Sequence, residues 1–166
     1  MAKIFLIASQ GIKDINCEVK TWMQQYAAQG HELIFGDTKA DANFHRVASA
    51  LGIKNSCTIY AMDNASNNSF GIKERIFDTY YDEETKKARI VDRDTNNVML
   101  EMNDVADETV IRSSDAWYKF KDKLMMDECA MAVIVVPNGQ PYTKRVNGII
   151  QRLSVYNKPR YIKGDM

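Results

Sequence analysis

Two aspartates four positions apart, Asp37 and Asp41, follow a glycine and frame a lysine in the stretch Gly36-Asp37-Thr38-Lys39-Ala40-Asp41. Cleaving a ribosyl bond needs a carboxylate to stabilise an oxocarbenium-like centre and an acid to protonate the leaving base. Asp37 and Asp41, together with Asp122 further along, are the carboxylates of this chain placed to supply those groups. Other chemistries find less support. His31 opens an apolar run and His45 follows Phe44, and no Cys/His/Asp spacing suggests a zinc site, so both histidines read as structural or surface residues. Neither Ser9 nor any cysteine sits in a nucleophile motif, which leaves no triad to argue.

What must position these residues is an alternation of strands and helices. Lys3 to Ala8 is an apolar run of strand length, and after Ser9-Gln10-Gly11 the residues Ile15, Val19, Trp22, Met23 and Tyr26 recur at helical spacing until Gly30. His31 to Phe35 reads as a second strand. Phe44, Val47, Ala48 and Leu51 then form the apolar stripe of a second helix closed by Gly52, and Cys57 to Met62 reads as strand three. Between Asp63 and Asp115 the alternation breaks into a charged insertion. Within it "ARIVDRDTNNVMLEM" reads as a hairpin around an Asp-Thr-Asn-Asn turn. The pattern resumes with a helix over "DAWYKFKDKLMMDE", a buried strand at Ala130 to Val136, a helix from Thr143 to Tyr156 and a last strand at Pro159 to Ile162.

This pattern predicts an α/β fold: one Rossmann-like domain over residues 1–166, with a parallel sheet, helices on both faces and a β-hairpin-like insertion at about 63–115. Ligands of such sheets sit outside the carboxyl ends of the strands. Three loops should meet there: Ser9-Gln10-Gly11, Gly36 to Asp41, and Pro137 to Thr143, each ahead of a helix N-terminus that favours an anionic group. Taken alone, Asp41 reads as the N-cap of the second helix and Gly36 as a residue meeting a positive φ. Their convergence with the other loops on one edge is what makes them ligand candidates. Asp37, four residues upstream of Asp41, is harder to explain as a cap.

Bulk properties narrow the setting. The 166 residues carry 22 Lys plus Arg against 22 Asp plus Glu, so no global charge draws the chain to nucleic acid or membranes, and any anion must be gripped locally. The basic cluster Lys144-Arg145, with Arg152, Lys158 and Arg160 beyond, reads as a solvated helix face. Cys17, Cys57 and Cys129 form no C-x-x-C pair and read as reduced, structural thiols of a cytoplasmic protein. The opening "MAKIFLIAS" reads as strand one rather than a signal sequence, and "AMAVIVV" is far too short to span a bilayer.

The segment "GDTKADANFHRVASALGIKNSCTIYAM" resembles the G-D/G-x-x-G-A-D segment of the SLOG superfamily, the Rossmann-like group that includes the Smf/DprA DNA-processing proteins and the Lonely Guy phosphoribohydrolases. "NNSFG" at Asn67 to Gly71 is similar to an R-N-N-x-G element of a bacterial and phage branch. "FKDKLMMDECAMAVIVVPNG" resembles that branch's K-D-x-x-M helix, strand and W-D-G-x-S-x-G-T loop. The resemblance implies binding of a nucleotide or nucleotide-derived ligand; no cofactor is expected, and the residues offer no metal site. It implies contacts from Ser9, Gln10 and Gly11, from Gly36, Asp37, Lys39 and Asp41, from Asn68, from Lys121 and Asp122, and from Gly139 and Thr143.

This chain departs from the pattern at several positions. Ser-Gln-Gly stands where Gly-Ser-Arg is usual, and Lys39 replaces a glycine, bringing a side chain able to pair with a phosphate. In "PNGQPYTKRV", aligning Thr143 with the threonine of the Lonely Guy P-G-G-x-G-T-x-x-E loop puts Tyr142 at a glycine and Val146 at the glutamate that takes part in cleavage. The resemblance therefore implies phosphate cradling without that chemistry.

Three function classes follow. The first is a binder that senses or sequesters a nucleotide-derived ligand. The second is an N-glycosidase or ribosyl transferase using Asp37 or Asp41. The third is a protein-interaction adaptor that uses the 63–115 insertion. Trp22, Tyr26 and Tyr156 are candidates for an aromatic surface through which the chain self-associates.

Overall fold

Continuous apolar runs become central strands here because both faces of the sheet are covered. In the computed structural model, which describes residues 1–64 and 68–166, the first half of the chain forms β1 (Lys3–Ala8), α1 (Cys17–Ala28), β2 (Glu32–Phe35), α2 (Ala42–Ala50) and β3 (Cys57–Met62). Then come β4 (Lys73–Asp82), β5 (Lys87–Asp92) and β6 (Val98–Met102). The remainder is α3 (Glu108–Ile111), α4 (Asp115–Tyr118), α5 (Phe120–Glu128), β7 (Met131–Val136), α6 (Lys144–Val155) and β8 (Arg160–Gly164). The strands make one sheet in the order β6-β5-β4-β3-β2-β1-β7-β8. Strands β1 to β4, β7 and β8 pair in parallel, and β5 and β6 join antiparallel. This is the Rossmann-like α/β architecture that the alternation predicts.

The period-2 geometry of a strand sends successive side chains to opposite faces, and β1 shows the consequence. Ile4, Leu6 and Ala8 enter a core with Val19 and Met23 of α1 and Phe44, Val47 and Ala48 of α2. Phe5 and Ile7 enter the other core, with Trp117 of α4, Phe120 and Met125 of α5, and Val146, Ile149 and Leu153 of α6. Helices α1 and α2 thus cover one face, and α4 to α6 the other. From β1 the chain proceeds through β2 to β3 on one side, while β7 and β8 lie on the other. The strand order therefore reverses between the parallel neighbours β1 and β7, and the carboxyl ends of those strands flank the crevice where such sheets bind ligands.

The structure corrects two sequence expectations about elements. The insertion is more than a hairpin: its first part, Lys73–Asp82, is a ten-residue strand that pairs in parallel with β3 and continues the sheet. Its "KERIFDTYYD" lacks a clean apolar alternation because only Phe77 is fully buried. The hairpin itself is present as β5 and β6, turning through Arg93–Asn97 with Asn96 at φ 60°. Secondly, the helix expected over Asp115 to Glu128 divides at Lys119 (φ −93°, ψ −1°) into α4 and α5. Trp117 and Phe120 on either side of the break both reach the core.

Cys57 and Cys129 are buried and Cys17 is exposed, all unpaired. Burial pushes the Cys57 thiol up to about 12 and that of Cys129 to about 11, which suits inert structural thiols. Trp22, Tyr26 and Tyr156 are only half-buried, and Trp22 packs edge-on against Tyr161 with Lys163 over its face. Among the described residues no helix is long and apolar enough to cross a membrane.

Candidate functional site

The loop after β2 turns sharply over the end of β1, and Gly36 is the residue that permits it. A β-carbon there would lie 2.7 Å from Asp41 Oδ2, with Lys121 Cε at 3.5 Å and Nζ at 3.6 Å. The glycine is required for close approach: it is not among the residues with positive φ, contrary to the sequence expectation. Its carbonyl accepts from His45 Nε2 at 2.9 Å. A carbonyl only accepts, so Nε2 carries the hydrogen. Burial pulls the His45 pKa down, which keeps the ring neutral. His45 is thus structural, as is His31, whose Nδ1 accepts from the Ala2 amide.

Asp41 is not the cap the sequence suggests. It stands at the start of α2 with helical dihedrals and makes no side-chain capping bond. Instead its carboxyl turns inward, 1 % exposed, and Oδ1 accepts from the Ala8 amide at the end of β1 (3.3 Å). Its Oδ2 and the buried Ser9 Oγ have no hydrogen-bond partner among the described residues. Burial pushes the Asp41 pKa above the ordinary carboxylate range, while the Arg145 charge acts against that rise.

Two ion pairs from the opposite face of the sheet close over this turn. Lys121, in the first turn of α5, makes a close ion pair with Asp37, whose other oxygen accepts from the Met62 amide at the end of β3 (3.2 Å). The two side chains are 13 % and 8 % exposed. Burial pulls the Lys121 pKa down to about 8, with Arg145 adding to the effect and Asp122 opposing it. Contact with the Asp37 carboxylate favours the ammonium at neutral pH. Next to it, Asp122 accepts two bonds from Arg145 in the first turn of α6, from Nε and Nη2, both at 2.9 Å. Burial works to lower the Arg145 pKa, but the bonds and charge of Asp122 prevail and hold it above its ordinary value. The bidentate geometry gives that pair a fixed orientation.

The edge thus holds two ion pairs and the buried carboxyl of Asp41, its pKa raised, around the ends of β1, β2 and β3. Tyr118 and Tyr142, 69 % and 43 % exposed, stand just ahead of the α5 and α6 N-termini that carry Lys121 and Arg145. The Tyr118 hydroxyl is close enough to bear on the Arg145 charge.

Of the residues expected at the site, Ser9, Gly36, Asp37, Asp41, Lys121 and Asp122 come together. Gln10, Lys39 and Gly139 are exposed on the loops around them. Gly11 (φ 91°) approaches the ring of Pro137, so the first and last loops do meet. The chain's end ties them: Asp165 accepts from the amides of Lys13 (2.9 Å) and Asn138 (3.0 Å). Thr143 caps α6, its hydroxyl accepting from the Val146 amide (3.2 Å). Asn68 closes its own loop, donating to the Ile72 carbonyl and accepting from the Phe70 and Ile72 amides. Asn67, the first residue of the expected "NNSFG" element, lies outside the described residues.

Sequence reasoning missed Arg145, Asp165 and the two tyrosines. Arg145 had been assigned to a solvated face, but it is half-buried and committed to Asp122. Its place two residues after the capping Thr143 was the available signal.

Two cavities bear on the site. A groove of about 550 Å³ runs between α4–α5 and α6 and meets the edge at Asp122 and Arg145. At the amino ends of the strands, a basin of about 340 Å³ is lined by Lys3, Tyr60, Arg75, Asp92 and Glu128. There Arg75 donates to Asp92 (3.1 Å) and to both oxygens of Glu128 (2.8 and 2.9 Å). That internally answered network fastens β4 to α5. Among the described residues no group of His, Cys, Asp or Glu is arranged to hold a metal ion. No protein-family model, curated protein or solved structure matches this chain.

Proposed function

We propose that this protein binds a nucleotide or nucleotide-derived molecule at the carboxyl edge of its sheet, to sense or sequester it. The observation that carries the reading is the placement of Lys121 and Arg145. Two cations from two helix N-termini are held by Asp37 and Asp122 over the Gly36 turn. Largely buried ion pairs bring little net stability, because desolvation offsets their attraction. Their concentration beside the crevice, together with a buried carboxyl of raised pKa, is the pattern of a functional site. The chemistry fits the ligand class: helix N-termini and cations suit phosphate, and the exposed Tyr118 and Tyr142 offer faces for a base. The resemblance to the SLOG superfamily supports the same reading.

The competing reading is a nucleotide N-glycosidase or ribosyl transferase using Asp37 or Asp41. In its favour, burial raises the Asp41 pKa, the direction a leaving-group acid requires. Against it, Asp41 is 1 % exposed, and Asp37 is bound by Lys121 and the Met62 amide. A binder is the better fit.

A thermal-shift screen against nucleotides, cyclic nucleotides, NAD and ADP-ribose derivatives, with product analysis of each hit, tests both. Ligand at 100 times its dissociation constant stabilises the fold by about 2.7 kcal/mol. A shift with the ligand recovered intact, and abolished in Arg145→Ala, supports binding. A shift with a released base supports the enzyme, and no shift across the panel removes the nucleotide reading.

A further inference from the structure

The outer faces of α5 and α6 do not close on one another. The groove between them is lined by Met126 and Ile149, each 3 % exposed, by the half-buried Tyr156 and by Val155, which is 76 % exposed. Gly148 stands on the α6 wall, where a β-carbon would meet nothing within 4 Å. Glycine in a helix interior is destabilising by about 1 kcal/mol relative to alanine, and no close contact or positive φ requires it there. Its effect is to keep the groove open. The α4–α5 wall presents Asp115, Tyr118, Lys119, Asp122, Lys123 and Met126, residues spaced three or four apart across the break at Lys119.

Cations rim both walls, Lys119 and Lys123 on one and Lys144 and Arg152 on the other. Among the described residues Lys119 pairs with the exposed Asp115 (2.9 Å), and Arg152 donates to the Tyr156 hydroxyl (3.2 Å). Lys123 and Lys144 form no ion pair among the described residues. Of the two carboxylates on the groove, Asp122 is committed to Arg145. The Lys119 hydrogen bond holds the Asp115 carboxyl below the usual range, and the charges of Lys123 and Lys144 act in the same direction. A chain of zero net charge therefore carries here a locally cationic channel with an apolar floor.

We propose that this groove docks an acidic amphipathic helix of a partner protein, its apolar stripe on the floor and its Asp and Glu residues against Lys119 and Lys123 on one side and Lys144 and Arg152 on the other. An apolar channel between two cationic rims is the complement of a helix whose apolar stripe is flanked on both sides by carboxylates. A nucleic acid would answer the lysines but has no apolar stripe for Met126, Ile149 and Val155. A two-fold dimer through the same groove would set one cationic rim against another. The proposal stands apart from ligand binding at the strand ends, since Lys123, Lys144 and Gly148 take no part in that site.

The test is selection of a displayed library on the full-length protein. Each peptide is a helix of about four turns with a fixed leucine stripe and flanks randomised among Glu, Lys, Gln and Ser. The expected result is enrichment of Glu on both flanks. The best peptide, synthesised with a fluorophore, should bind by anisotropy with an affinity that falls with added salt. That affinity should drop about tenfold or more in Lys123→Glu/Lys144→Glu. Gly148→Leu, which fills the groove without a charge, should abolish binding while leaving the melting temperature unchanged or higher. Enrichment of Lys, the absence of flank selection, or a peptide indifferent to Gly148→Leu would overturn the proposal. So would an oligonucleotide that displaces the selected peptide, or a dimer in sedimentation that Gly148→Leu disperses.

Discussion

Replacing Gly36 by alanine places a β-carbon 2.7 Å from Asp41 Oδ2, a contact that no relaxed structure tolerates. Asp41 has little freedom to retreat, because it is 1 % exposed and its other oxygen is bonded to the Ala8 amide. Overpacking a tight site costs about 1–3 kcal/mol. Alanine returns about 0.4–1 kcal/mol of that by restricting the unfolded chain, since the backbone at Gly36 is not in the left-handed region. The net expectation for Gly36→Ala is a loss of about 1–2 kcal/mol, read as a fall of about 2–8 °C in Tm for a domain of this size. Asp41→Ala removes the clashing oxygen but orphans the Ala8 amide, a loss of about 1–3 kcal/mol on its own. In the double variant the clash no longer exists, so the two losses should fall short of additivity by about 1 kcal/mol or more. Urea denaturation of the four proteins measures that coupling. Additivity within about 0.5 kcal/mol would refute the account of Gly36 as the residue that makes room for Asp41.

Other expectations follow from the same network. Burial places the folded pKa of Asp41 above its ordinary value of 3.8. The stability this group contributes is therefore full below that value and lost as pH rises through the raised one. Asp41→Asn lacks that loss, so its stability relative to wild type should improve as pH rises above about 4 in urea titrations. Lys121→Met leaves Asp37 buried without its cation and should cost about 2–4 kcal/mol by denaturation. Adding Asp37→Asn should recover a large part of that. At the other end of the sheet, Arg75→Met strands Asp92, 3 % exposed, and Glu128. It should cost about 2–4 kcal/mol and leave nucleotide binding unchanged in calorimetry.

The central strands were legible because β1, β2, β3 and β7 are buried on both faces and read as unbroken apolar runs. Strand β4 was not, since charged and half-exposed residues hide its period and its partner β3 supplies the apolar context. The break at Lys119 was equally hidden, since every residue from Asp115 to Glu128 suits one continuous helix. At the site, the Gly36–Asp41 turn could be found because it is contiguous. The Asp37–Lys121 pair spans 84 positions and depends on α5 packing over the loop after β2; the Asp122–Arg145 pair spans 23 and depends on α5 lying beside α6. The sequence order of Lys144 and Arg145 also says nothing of which faces solvent. The α6 helix sets that: Arg145 turns to Asp122 and Lys144 outward.

The measurement that tests the central claim most directly is a titration of the isotopically labelled protein, at 19.0 kDa well suited to two-dimensional amide spectra, with each nucleotide of the panel. The account predicts that a bound nucleotide shifts the amides of Ser9 to Gly11, Gly36 to Asp41, Lys121, Asp122 and Arg145, and that these shifts vanish in Arg145→Ala. Saturable shifts confined to the basin around Arg75, to the β5–β6 hairpin or to the outer face of α1 would contradict it, as would spectra unmoved by every nucleotide.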